Sequence, residues 1–269
     1  MSIMRKIGLI AGNGQFPIIF SKALKDRKVK VIAVGLKGET LENLEEHVDK
    51  FIWVELGQLQ RLIEIFKEEE VHDVTMAGGI TKTLMFSGLK PDSRGVSFLS
   101  RLKNKKDDFI LRSFARELEQ EGIHVQSSTH YLPWIVAKKG CLTKKTPTED
   151  DYKDIEFGWN IAKGIGELDI GQTVVVKDQV ILAVEAIEGT DEAIKRGGRL
   201  GNGQAVVVKV KKPKQDMRFD IPVVGIKTID SLKEVNASVL AIEAGNTIIL
   251  EKEKMIRNAD ENGISIIAI

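Results

Sequence analysis

The sequence predicts an α/β protein of two domains, a parallel-sheet domain followed by a second, mixed α/β domain. Three observations predict it. Through the first half, short apolar strands alternate with helix-spaced apolar residues, the pattern of a parallel sheet with helices on both faces. Between Ser127 and Asp151 the texture changes to turn and cap residues, among them Pro133, Gly140 and Thr146-Pro147-Thr148-Glu149-Asp150. Strand signals then restart with a hairpin pattern. The expected division is residues 1–130 for the first domain, 131–150 for a linker and 151–269 for the second.

In the first domain, Lys6–Ala11 is a short apolar strand that ends in Gly12-Asn13-Gly14. Phe16–Leu24 has helical spacing, with Pro17 tolerated in its first turn. Val29–Val34 and Phe51–Val54 read as buried strands. Leu56, Leu59, Leu62, Ile63 and Phe66 share one helix face. Val71–Met76 is a fourth strand, closed by Ala77-Gly78-Gly79. Asp107-Asp108 opens a helix to about Gln120, since acids favour a first turn, and Ile123–Gln126 is a fifth strand. In the second domain, Thr148 or Asp150 caps a helix running to about Ile165. Thr173–Val176 and Val180–Val184 form a hairpin. A helix covers Asp191–Arg199, with Thr190 or Asp191 as its cap. Ala205–Val210 is a strand, Thr228–Val235 a helix, Val239–Ile242 and Thr247–Leu250 strands, Lys252–Asn262 a helix, and Ile264–Ala268 a closing strand.

Composition excludes several functions. Lys+Arg 40 against Asp+Glu 39 gives no electrostatic reason for a nucleic-acid partner. A single cysteine, Cys141, excludes an intrachain disulfide framework and a multi-cysteine zinc site, and points to a reducing compartment. The opening apolar run is too short for a leader, and no run of about 18 apolar residues predicts a membrane span. The four histidines lack metal-type spacing. Neither a G-x-x-x-x-G-K-[ST] phosphate loop nor a G-x-S-x-G nucleophile elbow occurs.

Four constellations remain. Strand, Gly12-x-Gly14, then helix is a geometry that offers backbone N–H groups to a phosphate; it equally serves a tight turn with no ligand. Pro17 breaks the full dinucleotide fingerprint, and Glu39, after Gly35 and Gly38, poorly matches the acid expected past the second strand, so a nicotinamide-linked oxidoreductase is disfavoured. Gly78 and Gly79 would extend the same ligand floor, or pack helix against sheet. Gly189-Thr190-Asp191 suits an anion at a helix start, or a plain cap, with Glu185 upstream as a metal carboxylate or an edge charge. Asp216, Arg218 and Asp220 alternate, so an extended strand would put them on one face. Two carboxylates there would hold Mg²⁺ or orient water, and the arginine would pair with phosphate; a solvated charge run is the competing reading.

The segment KPKQDMRFDIPVVG at Lys212–Gly225 closely resembles the KP-x-Q-D-x-R-x-D-x-P-x-x-G signature of the LpxI-type UDP-2,3-diacylglucosamine pyrophosphatases. Ile7–Pro17, Leu142–Asp178 and Ala183–Asp191 resemble further blocks of that family, in order, over nearly the whole chain. One departure is Asn13, where the family's opening turn has glycine.

The resemblance implies an N-terminal Rossmann-like domain, a C-terminal α/β domain of a different fold and a substrate chamber between them. It implies Mg²⁺-dependent hydrolysis of UDP-2,3-diacylglucosamine to UMP and 2,3-diacylglucosamine 1-phosphate in lipid A synthesis. The setting would be cytoplasmic and peripheral at the inner membrane, with membrane contact through the lipid; a homo-oligomer is compatible with the sequence. Implied catalytic residues are Asp220, favoured, and Asp216, which would also hold the metal. Gly12, Asn13, Gly14, Gly78, Gly79, Thr190, Asp191 and Arg218 would bind substrate. The alternative is a non-catalytic nucleotide-sugar-binding protein on the same fold.

Overall fold

A computed structural model describes residues 5–81, 88–103 and 107–269, the side chains of residues 107 and 108 excepted. The chain divides into two compact units. One comprises Met1–Leu132 together with Asp216–Asp220, and the other Pro133–Gln215 with Ile221–Ile269. Residues 133–150, read above mostly as linker, count with the second unit.

The first unit is built on five parallel strands in the order β3-β2-β1-β4-β5. These are β1 (Lys6–Ala11), β2 (Lys30–Leu36), β3 (Lys50–Val54), β4 (Asp73–Ala77) and β5 (His124–Gln126). The central strands are apolar throughout because helices cover both faces. α1 (Phe16–Lys25) buries Phe16, Ile18, Phe20 and Leu24, and α2 (Leu59–Glu68) buries Leu59, Leu62, Ile63, Ile65 and Phe66. α2 starts three residues later than its apolar pattern, because Gly57 turns the chain at φ 107°. Its N-terminus is capped from a distance. The Asp92 carboxylate accepts from the amides of Gln60 and Arg61, and also from Gly95 in α3 (Ser93–Arg101). One acid thus serves two helix starts. α4 (Asp107–Glu119) follows as expected, its first-turn acids Asp107 and Asp108 lying outside the described side chains.

The order reverses between β1 and β4. In open parallel sheets that reversal is where strand ends part and a ligand enters at their carboxyl edge. The Gly12–Gly14 turn leaves β1 there, and Ala77-Gly78-Gly79 leaves β4 beside it. After α4 and β5, a short helix α5 (Ser128–Tyr131) ends the main run of this unit.

The second unit carries a mixed sheet in the order β6-β13-β11-β9-β7-β8. β6 (Gly140–Cys141) runs antiparallel to β13 (Ser265–Ala268). β13, β11 (Val239–Ile242) and β9 (Val206–Lys209) are parallel, and the hairpin β7 (Thr173–Lys177) and β8 (Val180–Val184) is antiparallel. On one face lies α6 (Glu149–Glu167), started by a capping box of Thr148 and Asp151. Its Gly158 permits close approach: a Cβ there would stand 2.8 Å from Val176 and 2.9 Å from Val208. The other face is covered by α7 (Thr190–Leu200), α8 (Ile226–Glu234) and α9 (Lys252–Glu261), around Val175, Ile194, Val207, Leu232, Leu240 and Ile266. A parallel pair of two-residue strands, β10 (Val223–Val224) and β12 (Ile248–Ile249), completes the unit. Among the described residues, no helix is long and apolar enough to cross a membrane.

Candidate active site

The Asp216–Asp220 segment is not the extended strand that its alternation suggests. The amides of Phe219 and Asp220 both donate to the Asp216 carbonyl, at 3.3 and 3.1 Å, closing a single tight turn. The Asp216 carboxylate drives the turn, since its Oδ1 accepts from the Arg218 amide at 3.1 Å. The same carboxylate takes the Arg218 guanidinium side-on. Nε lies 3.1 Å from Oδ1 and 3.2 Å from Oδ2, and Nη2 lies 2.9 Å from Oδ2. Arg218 Nη1 donates to Glu119 at 2.6 Å, and Arg112 stands 3.6 Å from Asp216, both partners lying on α4. Phe219 packs against the core of the first unit, and the Arg218 guanidinium lies 5.3 Å over its ring.

These contacts set the electrostatics. Burial pushes the Asp216 carboxyl up, but the Arg218 hydrogen bonds, aided by the Arg112 charge, outweigh it and hold Asp216 below the ordinary aspartate range. The Arg218 guanidinium is raised by its bonds to Asp216, against burial and with help from Glu119. Asp216 is therefore a fixed anion and a weak base. Its oxygens are committed to Arg218, and no group of three His, Cys, Asp or Glu suited to a metal occurs among the described residues.

The glycine turn also differs from its expected use. The amides of Gly12 and Asn13 donate to the carbonyls of Ala77 and Gly79, both at 2.8 Å. They tie the end of β1 to the end of β4 and are not presented to a ligand. Gly12 and Gly78 are required by that approach. A Cβ on Gly12 would lie 2.1 Å from the Gly79 carbonyl oxygen, and one on Gly78, at φ +84°, would lie 2.4 Å from that of Asn13. Positive φ falls on Gly14, at +81°, and not on Asn13. Asn13 acts through its side chain instead: Nδ2 donates to Glu39 Oε2 at 2.7 Å. Glu39, set aside by sequence pattern, reaches the turn all the same, and Thr81 joins it.

In the second unit, Thr190 is not a cap. Gly189 occupies the N-cap of α7, and the Thr190 hydroxyl donates to Glu185 at 2.9 Å and accepts from Lys209 at 3.0 Å. Glu185 and Lys209 are both buried, so the three form an internal polar chain behind the helix start. Asp191 sits in the first turn of α7, where a carboxylate complements the helix dipole. Arg112, Glu119 and Lys209 are polar partners that sequence pattern did not single out.

The first unit also holds an apolar cavity of about 140 Å³. Ile10, Leu36, Val54 and Met76, at the carboxyl ends of four parallel strands, form its floor; Phe98 and Phe114 contribute helix walls.

Comparison with known proteins gives two kinds of match. Residues 6–135 match the family model described as the LpxI N-terminal domain, and residues 138–267 the one described as the LpxI C-terminal domain. A curated relative, the UDP-2,3-diacylglucosamine pyrophosphatase LpxI of Caulobacter vibrioides, is 30% identical over 277 positions, covering 99% of this chain and 98% of that protein. Solved structures give weaker likenesses. The urea carboxylase of Kluyveromyces lactis matches with a TM-score of 0.30 at 15% identity, over 47% of this chain and 10% of that one. The biotin carboxylase domain of Hydrogenobacter thermophilus 2-oxoglutarate carboxylase matches with a TM-score of 0.30 at 14% identity, over 74% and 41%. Scores of that size carry no argument.

Proposed function

The chain belongs to the LpxI family, and from that premise we propose that it hydrolyses the diphosphate of UDP-2,3-diacylglucosamine, releasing UMP and 2,3-diacylglucosamine 1-phosphate for lipid A synthesis. The observation that carries the reading is the pairing of two chemistries within the first unit. One is the charged turn Asp216–Asp220 on α4; the other is the apolar cavity floored by the strand ends. A diacylated sugar diphosphate needs both. A cavity of about 150 Å³ lined by Leu, Ile and Phe accepts benzene, so one of about 140 Å³ suits roughly six carbons of an acyl chain.

Diphosphate cleavage rests on charge neutralisation and an oriented water more than on covalent chemistry. Of the two aspartates, Asp220 is the better candidate to orient and deprotonate the water. The Arg218 bonds occupy the Asp216 oxygens and hold its carboxyl below the ordinary aspartate range, which makes it a weak base. Asp216 is then a positioning residue: through Arg218 it fixes the turn that presents Asp220. Arg218 keeps further N–H donors on its terminal nitrogens for a phosphate oxygen. Mg²⁺ enters the proposal as an ion shared between the substrate's diphosphate and one or two carboxylates of the turn, with Asp220 and Asp216 as the candidates. Contact with a membrane would come through the substrate's acyl chains, at the cytoplasmic face.

The test is incubation with UDP-2,3-diacylglucosamine and Mg²⁺, assayed for UMP, beside the unacylated UDP-sugar. Release of UMP from the acylated substrate is expected. Binding of the nucleotide lipid with no UMP formed would leave a binding protein and end the enzymatic reading.

A further inference from the structure

Glu39 lies just beyond β2 and is only 7% exposed. Its two carboxylate oxygens are treated very differently. Oε2 accepts from Asn13 Nδ2 at 2.7 Å, from the Thr81 amide at 3.1 Å and from the Thr81 hydroxyl at 3.2 Å. Among the described residues, Oε1 is buried and has no hydrogen-bond partner. A buried polar atom with no partner is costly, and where one persists it marks a position awaiting a donor. Three donors hold one oxygen, and the other is left without a partner among the described residues.

The location says what the donor belongs to. Glu39 borders the carboxyl edge of the sheet beside the β1–β4 reversal, the edge at which open parallel sheets take ligands. It lines an open depression together with Lys37, Gly38, Thr40, Leu41 and Trp53. A carboxylate oxygen accepts hydrogen bonds and repels phosphate, so it does not face the diphosphate. Hydroxyl donors flank the diphosphate on both sides, on the ribose and on the glucosamine with its 4- and 6-hydroxyls unacylated; in a sheet of this strand order, an acid past the second strand meets the ribose.

We propose that Glu39 binds the ribose of the uridine nucleotide, Oε1 accepting from a ribose hydroxyl, with Asn13 and Thr81 as positioning residues that hold the carboxylate. The inference rests on the hydrolase reading above and deepens it, since it assigns the UMP half of the substrate to the β1–β2 edge of the first unit. It also gives Asn13 a role that a glycine there would lack, because only the amide side chain reaches Glu39.

The test measures binding of UMP, 2′-deoxy-UMP and 3′-deoxy-UMP to the full chain by calorimetry, alongside turnover of the nucleotide lipid. In the wild type, UMP should bind about 10- to 100-fold more tightly than at least one deoxy analogue, the size of one hydrogen bond to a charged acceptor. Glu39→Gln should lose most of that discrimination and keep a wild-type melting profile. Asn13→Gly, which removes the shortest of the three hydrogen bonds that hold the carboxylate, should reduce it several-fold. If Glu39→Gln fails to fold, Asn13→Gly decides, since discrimination undiminished in that variant overturns the role of Glu39. Turnover with all three nucleotides bound equally, or none bound, would overturn the role of Glu39 and leave the hydrolase reading standing. Absence of both turnover and UMP binding would sink the two together. Discrimination undiminished in a folded Glu39→Gln variant overturns the role of Glu39 alone.

Discussion

Replacing Arg218 with methionine isolates the guanidinium that organises the Asp216 turn. Methionine keeps much of the apolar stem over Phe219 and removes every side-chain donor that Arg218 offers to Asp216 and Glu119. Removing one partner of a buried ion pair costs about 3–5 kcal/mol, and an exposed pair is worth about 0.2–1 kcal/mol. Here the Asp216 side chain is 13% exposed and that of Arg218 38%. With Arg218 this open to solvent, screening brings the expected cost to about 2 kcal/mol. At roughly 3 °C per kcal/mol for a unit of this size, Tm near neutral pH should fall by about 6 °C. The pH dependence gives the sharper check. Burial raises the Asp216 carboxyl, the Arg218 bonds lower it more, and the folded value lies below the unfolded one. A group depressed in this way stabilises the fold fully above its unfolded value and loses that contribution as pH falls through the folded value. Thermal scans should therefore show a constant gap between wild type and variant from neutral pH to about 5. The gap should close on further acidification, as protonated Asp216 no longer needs its arginine. A gap that holds or widens down to about pH 2 would refute the pairing as the source of the stability.

Other outcomes follow from the same geometry. Asp220→Asn should remain folded and lose at least about 100-fold in kcat, a typical contribution of a general base; wild-type turnover in a folded variant would remove Asp220 from the chemistry. Gly12→Ala, whose Cβ would meet the Gly79 carbonyl oxygen at 2.1 Å, should cost about 3 kcal/mol or more by denaturant titration. Gly14→Ala, at φ +81° with open space around it, should cost only about 1 kcal/mol. Asp154→Ala should destabilise the second unit by about 2 kcal/mol, because its buried carboxylate accepts from the amides of Asp178 and Gln179 in the β7–β8 turn; equal stability would show that the turn stands without it. Ile110→Phe, at the wall of the apolar cavity, should raise KM for long-chain substrate more than for a short-chain analogue, read from initial rates.

Much of the fold was legible because its signals are local. β1, β2 and β4 are apolar runs buried on both faces, and Thr148 with Asp151 makes a start signal within four residues. Where the signal is distant, the pattern misled or was silent. Ser93–Arg101 has three serines and a glycine, and its start is set by Asp92, which also caps α2. The amides of Gly12 and Asn13 looked available because their acceptors, Ala77 and Gly79, lie beyond two helices and two further strands, at the end of β4. Alternation placed Asp216, Arg218 and Asp220 on one strand face, yet a side chain that bonds its own backbone two residues on makes a turn from the same letters. Glu39 matches the acid expected past the second strand only poorly, since its setting comes from Asn13 and Thr81 beyond two other strand ends.

The five residues Asp216–Asp220 complete a unit whose other members end at Leu132. On the ribosome, the first unit therefore waits for its last piece while the intervening residues 133–215 are made. At about 5–20 residues per second that delay is roughly 4 to 17 s. During it, the sheet and α4 can form while Phe219 and Arg218 are still absent. The acid that the proposal makes catalytic, Asp220, arrives only with most of the second unit already synthesised. A nascent chain cut short before residue 216 can carry a sheet and a glycine turn, and no turnover. Activity in this architecture is a property of nearly finished chains.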